Sequence, residues 1–263
     1  MRFAPSVAWS GATSIDVHEL PGVGTFVRGV APGAVIASGE GFVRIGERRG
    51  ALDFGDASLP VFFRWDSPSP PSGTPTRVFG PGEHNVGEIV LRSGDHLRLE
   101  RGAIVRGTIL AVDADDLVID GPGILDGSGH ARPTGYDGPR HLDLRGCRRA
   151  LIRDVTMVRP QTWQLALFGC DDVRIEGVTI LGDANSDDGI DIVGSRDVVV
   201  RDALIRTKDD CVAVKAIPGI HPRSGDDVAR VLVEDCTLWN GAWGNVLEIG
   251  YETSADRISD VVF

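Results

Sequence analysis

Four stretches of this chain carry one pattern. Ala150–Met157, Val173–Ile180, Val198–Ile205 and Val231–Leu238 each read apolar, variable, apolar, charged, then Asp or Gly, then apolar, variable, apolar. Their starts lie 23, 25 and 33 residues apart. Alternation with period two marks a strand, and Asp or Gly between two runs marks a turn. A unit this small cannot bury its own apolar face, so successive units must stack and share a core. Strand-bearing units near 23 residues fit a parallel β-helix, in which alternate side chains point inward over the copies above and below. Leu97–Leu99 and Leu117–Ile119 read as looser upstream copies, and Ile258–Phe263 matches Ile175–Ile180. A leucine-rich repeat is excluded, because its asparagine and leucine spacing is missing.

The repeat does not reach the start of the chain. Before residue 65 come short apolar runs cut by glycine, such as Thr25–Arg28, Phe42–Ile45 and Val61–Phe63, which predict a small antiparallel sandwich. Asp66–Pro75 is a Pro- and Ser-rich connector. The expected division is therefore a small β-domain over 1–75 and a β-helix over 76–263, with Val86–Leu91 opening the first turn. Residues 126–141 form a loop longer than the scaffold needs, which marks it as a candidate functional loop. The chain stops at Phe263, just after one strand of a further turn and without a visible cap, so the coil is expected to be incomplete.

Charge and cysteine content narrow the partners. A net charge of −11 with no basic stripe argues against nucleic acid. No apolar run approaches the roughly 18 residues of a membrane span. The first residues show no charged start followed by an apolar segment, so no secretory signal is visible and localisation stays open. Cys147, Cys170, Cys211 and Cys236 lack metal-type spacing, and their places in the repeat favour buried free thiols over disulfides. No cofactor is called for, and a monomer is expected.

The repeat also sets the register of two acidic clusters, Asp187–Asp191 and Asp209–Asp210. Placing Ile190 and Ile192 over Val212 and Val214, then over Leu247 and Ile249, stacks Asp188, Asp210 and Asn245 in one column. Adjacent turns lie about 4.8 Å apart. Asp188, Asp191, Asp209, Asp210 and Glu248 should then share an outward patch. Crowded carboxylates raise one another's pKa, a cost that acid–base chemistry can use. A structural acidic turn and a cation site remain as alternatives. The pairs Asp115–Asp116, Asp171–Asp172 and Asp226–Asp227 sit in another phase and read as turn residues bonding backbone N–H groups.

At these motifs the chain resembles the polygalacturonase family, glycoside hydrolase family 28. Asn185–Asp191 (NSDDGID) and Thr207–Lys215 (TKDDCVAVK) are similar to its N-T-D-G-x-D and D-D-C motifs, and Gly121–Gly127 and Arg132–Pro133 to its loop motifs. A β-domain ahead of the coil also resembles the dextranase and isopullulanase family, glycoside hydrolase family 49. The resemblance implies a right-handed, pectin-lyase-like parallel β-helix and an inverting hydrolase of a polysaccharide or oligosaccharide, located outside the cytoplasm. It implies Asp210 as general acid and Asp188 and Asp209 as the pair that activates water, with Asn245, Glu248, Asp191, Lys215 and Gln164 binding substrate.

Two departures bear on the substrate. Asn245 stands where the family motif has histidine, and the family's basic R-x-K motif would fall beyond Phe263. A pectin-type polymer is the first expectation and a neutral α-glucan the second. The others are a polysaccharide lyase using Lys208 or Lys215 as base and a non-catalytic carbohydrate-binding coil. Trp163, Trp239 and Trp243 are candidates to stack on sugar rings.

Overall fold

The computed structural model describes residues 73–129 and 140–263 and, before them, six strands. The chain divides into two compact units, Met1–Pro70 and Pro71–Phe263. In the first, Ile15–Leu20, Gly24–Gly29, Val61–Trp65 and Arg49–Leu52 form one sheet in that order, and Val35–Ser38 pairs with Gly41–Arg44 as a hairpin. The antiparallel expectation fails at one place, since Gly24–Gly29 and Val61–Trp65 run parallel. Phe26, Val27, Phe62 and Phe63 are buried on this sheet. Most of the Pro- and Ser-rich connector, and Arg132 and Pro133 of the long loop, lie outside the described residues.

The second unit is a right-handed parallel β-helix with three strands per regular turn. One turn comprises Leu165–Phe168, Asp171–Glu176 and Thr179–Leu181. The next comprises Ile190–Val193, Arg196–Arg201 and Leu204–Thr207. On the first face Leu142, Leu165, Ile190, Val212 and Leu247 are successive partners, as are Leu144, Leu167, Ile192, Val214 and Ile249. Ala150, Val173, Val198 and Val231 form the matching column on the second face. As far as Val212, Val214 and Val231 these columns fill the coil's interior, each fully buried Ile or Leu contributing roughly 2 kcal/mol, while Leu247 is half-buried and Ile249 exposed. No α-helix occurs among the described residues.

Cys147, Cys170, Cys211 and Cys236 are all free, and the first three are buried. Ser195 follows Cys170 in its column, its Oγ accepting from the Cys170 N–H at 2.9 Å.

The last strand takes a different phase from the one expected. Val261 pairs with Val231, which places it in the Val173 column instead of over Val178. The two halves of each unit share an apolar-variable-apolar pattern five residues apart, so the sequence match landed on the wrong half. The coil also starts earlier than Val86, since Arg77–Phe79 already pairs with His96–Leu99, and Gly82–Leu91 with Ala103–Val112.

The outer surface of the second face carries an unforeseen order. Arg98, Asp120, Arg153, Glu176, Arg201 and Glu234 are successive cross-strand partners, so charge alternates at every rung. The paired aspartates follow the same logic. Asp116 and Asp172 take left-handed φ near 55°, and Asp116 ion-pairs with Arg149 and Asp171 with Arg223; of the six, only Asp227 accepts a backbone N–H, from Arg257 at 2.9 Å.

Candidate active site

Three successive corners, each leading into the first face, build the site. The loop before Ile190–Val193 carries Asp187 and Asp188. The loop before Val212–Lys215 carries Asp209 and Asp210, and the loop before Leu247–Ile249 carries Gly244 and Asn245. The ladder continues into these loops: Gly189 N–H donates to Asp210 C=O at 2.8 Å, and Cys211 N–H to Asn245 C=O at 2.9 Å. Trp163, Asp188, Asp210 and Asn245 are thereby brought into one column. All four line a cleft of about 510 Å³, together with Asp209, Lys215, Glu248 and Glu252.

Adjacent Asp187 and Asp188 serve different ends because successive side chains diverge. Asp187 is fully buried and accepts backbone N–H groups from Lys208 at 2.8 Å, Asp209 at 2.9 Å and Ala184 at 3.1 Å. It ties one corner to the next and sets the backbone that carries Asp209. Burial pushes its carboxyl up despite those three donors. Asp188 instead meets the cleft, its Oδ2 accepting from Lys215 Nζ at 2.9 Å.

Lys215 is the centre of a buried charge cluster. Its Nζ lies 3.1 Å from Asp191, 3.3 Å from Glu252 and 4.3 Å from the Trp163 ring centroid. Burial opposes its charge, but Asp191 and Asp188 outweigh burial and raise the ammonium's pKa. Burial, then the charge of Asp191, pushes Asp188 up, with Lys215 pulling the other way. Asp210 is also raised by burial, offset in part by the Asn245 N–H that its Oδ1 accepts at 2.7 Å. Gly244 makes this approach feasible: its φ is +62°, and a Cβ there would stand 2.4 Å from Oδ1 of both Asp209 and Asp210.

The structure gathers some expected residues and separates others. Asp188, Asp209, Asp210, Asn245, Glu248 and Lys215 meet at the cleft. Asp191 does point off the coil, but it is covered, with no exposed surface, beneath Lys215. Gln164 is buried as well, its Nε2 donating to Asp187 C=O at 3.3 Å. Neither lines the cleft, which corrects their placement as substrate contacts. Trp163 and the exposed Trp243 line it, whereas Trp239 does not. Sequence reasoning missed Glu252 and Tyr251, which reach the cleft from an irregular segment outside the repeat. Lys215, held charged by three carboxyls, is unsuited to the role of a lyase base.

A parallel solenoid with a carboxylate-lined cleft on one face places the protein among the pectin-lyase-like β-helices. Its sequence is more specific still: the pattern of glycosyl hydrolases family 28 matches residues 102–261, more than half of the chain, and the chain belongs to that family. It is 24% identical over 190 residues to an exopolygalacturonase of Platanus acerifolia, covering 63% of this chain and 50% of that one. Exopolygalacturonase A of Aspergillus niger is 30% identical over 156 residues, 54% of this chain and 34% of its own length. The chain thus spans half or less of these two relatives.

Among solved structures, an exopolygalacturonase of Thermotoga maritima superposes with a TM-score of 0.59 at 18% identity, covering 71% of this chain and 58% of that one. Dex49A from Penicillium minioluteum superposes with a TM-score of 0.52 at 13% identity, covering 90% and 67%. Both likenesses read from the sequence are therefore met in the fold.

Proposed function

We propose that the cleft hydrolyses glycosidic bonds of a pectin-type polysaccharide with inversion at the anomeric carbon. The observation that carries this is the convergence of Asp188, Asp209 and Asp210 on one cleft from successive turns. Inversion needs one carboxyl that arrives protonated and another, ionised, that activates water on the opposite side of the sugar. Burial raises Asp210, which suits it to protonate the leaving oxygen; burial and the charge of Asp191 raise Asp188 too, but there the Lys215 ammonium pulls the other way. Asp188, ion-paired with Lys215, and Asp209 form the pair that holds and activates the water. The exopolygalacturonase relatives support galacturonate as the sugar.

A neutral glucan is the second reading, and one observation favours it. Among the described residues lining the cleft Lys215 is the one cation, and protein carboxyls already surround it. Reducing-sugar release from polygalacturonate, dextran and pullulan decides between the two. Asp210→Asn should abolish release from polymer yet keep turnover of an activated aryl glycoside, whose leaving group needs no proton. If Asp209→Asn shows that behaviour instead, Asp209 is the donor; wild-type-like activity in both variants would refute the assignment of the pair.

A further inference from the structure

The Lys215 ammonium is already committed within the protein. It meets Asp188 at 2.9 Å and Asp191 at 3.1 Å, both of them buried, and Glu252 at 3.3 Å, which is partly exposed. Its own side chain is only 3% exposed, and the Trp163 ring closes one side. The stem therefore has no room to turn its charge toward a sugar carboxylate without leaving Asp191 buried and without its ammonium partner.

We propose that Lys215 is a positioning residue of the cleft, which fixes the Asp188 carboxyl on the wall through their direct contact, and that it does not grip substrate. This rests on the hydrolase reading for its consequence in turnover. Other charges act on the same cluster. Asp209 adds negative charge near Asp188, Arg140 adds positive charge near Asp191, and Asp210 and Glu248 share the cleft wall. None of these replaces a direct contact to Asp188. A cation within contact distance lowers a carboxyl's pKa by about 1–3 units, so its loss should raise Asp188 by a similar amount. Each unit lowers the ionised fraction about tenfold at pH values below the new pKa.

The test is Lys215→Met read in two ways. In protein labelled with 13C at aspartate carboxyls, with Asp188→Asn used to assign its signal, the Asp188 midpoint should rise by at least one pH unit. An unchanged midpoint overturns the proposal. In turnover, kcat near neutral pH should fall about 10–100-fold, recover at higher pH, and leave KM within twofold. A KM raised tenfold with kcat untouched, confined to uronate polymers, would mean that the lysine binds substrate and would overturn it too. Lys215→Arg should retain the wild-type pH profile. If Lys215→Met fails to fold, Asp191→Asn/Lys215→Met removes the stranded buried anion and serves for both readouts. A wild-type protein inert on every polymer would refute the hydrolase reading, while the carboxyl titration would still decide the role of Lys215.

Discussion

Replacing Asp187 with alanine should unfold the corner that carries Asp209 while removing no group that faces the cleft. Three backbone N–H groups would lose their acceptor: Lys208 at 2.8 Å, Asp209 at 2.9 Å and Ala184 at 3.1 Å. Hydrogen bonds to a charged group are worth about 1.5–3 kcal/mol each. Taking the low end for all three gives about 4–5 kcal/mol. Some of that is offset, since burial raises the Asp187 carboxyl and the variant no longer keeps a carboxylate out of water. A net loss of about 3 kcal/mol remains, which for a unit of this size lowers the melting temperature by roughly 6–12 °C. Asp187→Asn keeps one acceptor oxygen for Lys208 and Asp209 but turns an NH2 group toward Ala184, so about 1–2 kcal/mol is expected.

Thermal and urea unfolding, followed beside polymer hydrolysis, check this. Asp187→Asn should retain a measurable fraction of activity in the cold, where the corner stays folded, whereas Asp188→Asn should be inactive at full stability. A stable but inactive Asp187→Asn, with its melting temperature unchanged, would refute the division of labour between these neighbours and place Asp187 in the chemistry.

Further outcomes follow from the same geometry. Gly244→Ala should cost about 1–2 kcal/mol of stability for its left-handed φ, and activity should fall at least 100-fold, because the new Cβ displaces both Asp209 and Asp210; wild-type kcat would contradict the packing. Asp191 is raised to about 6 by burial, with Lys215 opposing. Its folded pKa exceeds its unfolded value near 4, so protonation favours the native state and the corresponding stability is lost as pH rises through about 6. Asp191→Asn should therefore flatten the fall in melting temperature between pH 4 and 6, a difference of about 2 kcal/mol that unfolding scans would show. Arg153→Glu replaces the one cation between Asp120 and Glu176 with a further anion, so three negative rungs follow in a row; it should cost about 1–3 kcal/mol in urea unfolding.

The coil itself was open to reading, and the reason is periodicity. Ile190 and Ile192, Val212 and Val214, Leu247 and Ile249 can be aligned only one way if all six are to face inward, and that alignment carries Asp188, Asp210 and Asn245 into one column. What periodicity cannot give is depth. Asp191 has the outward phase, yet the stem of Lys215 covers it, and whether a side chain from the next turn folds back depends on charge and length. Asp187 and Asp188 differ only in phase, and a loop has no fixed phase to read. Glu252 and Tyr251 belong to a segment without repeat, so no register predicts that they return to the cleft. The register of Ile258–Val262 was missed for a related cause, since both halves of the unit bear the same apolar spacing.

The position of the cleft follows from one column of the first face. Asp143, Ala166, Asp191, Ala213 and Glu248 are successive outward partners, so an acid alternates with alanine over five rungs. Lys215 stands two residues beyond Ala213 on the same face, and Asp191 is the partner of Ala213 one turn back. To reach Asp191, the lysine stem must pass across its own strand where the alanine leaves room. Asp143 is covered from its own turn: Arg140, three residues before it, ion-pairs with it at 2.8 Å and lies over the rings of Trp163 and Phe168. A long cation thus covers each of the two lower acids, Arg140 from the same turn and Lys215 from the next, and both acids are buried. On the next acidic rung, Glu248 accepts from Asn245 Nδ2 at 2.5 Å and lines the cleft. Carboxylates of equal phase thus differ in access according to the cation laid over them: Asp143 and Asp191 are buried, whereas Glu248 is half-buried.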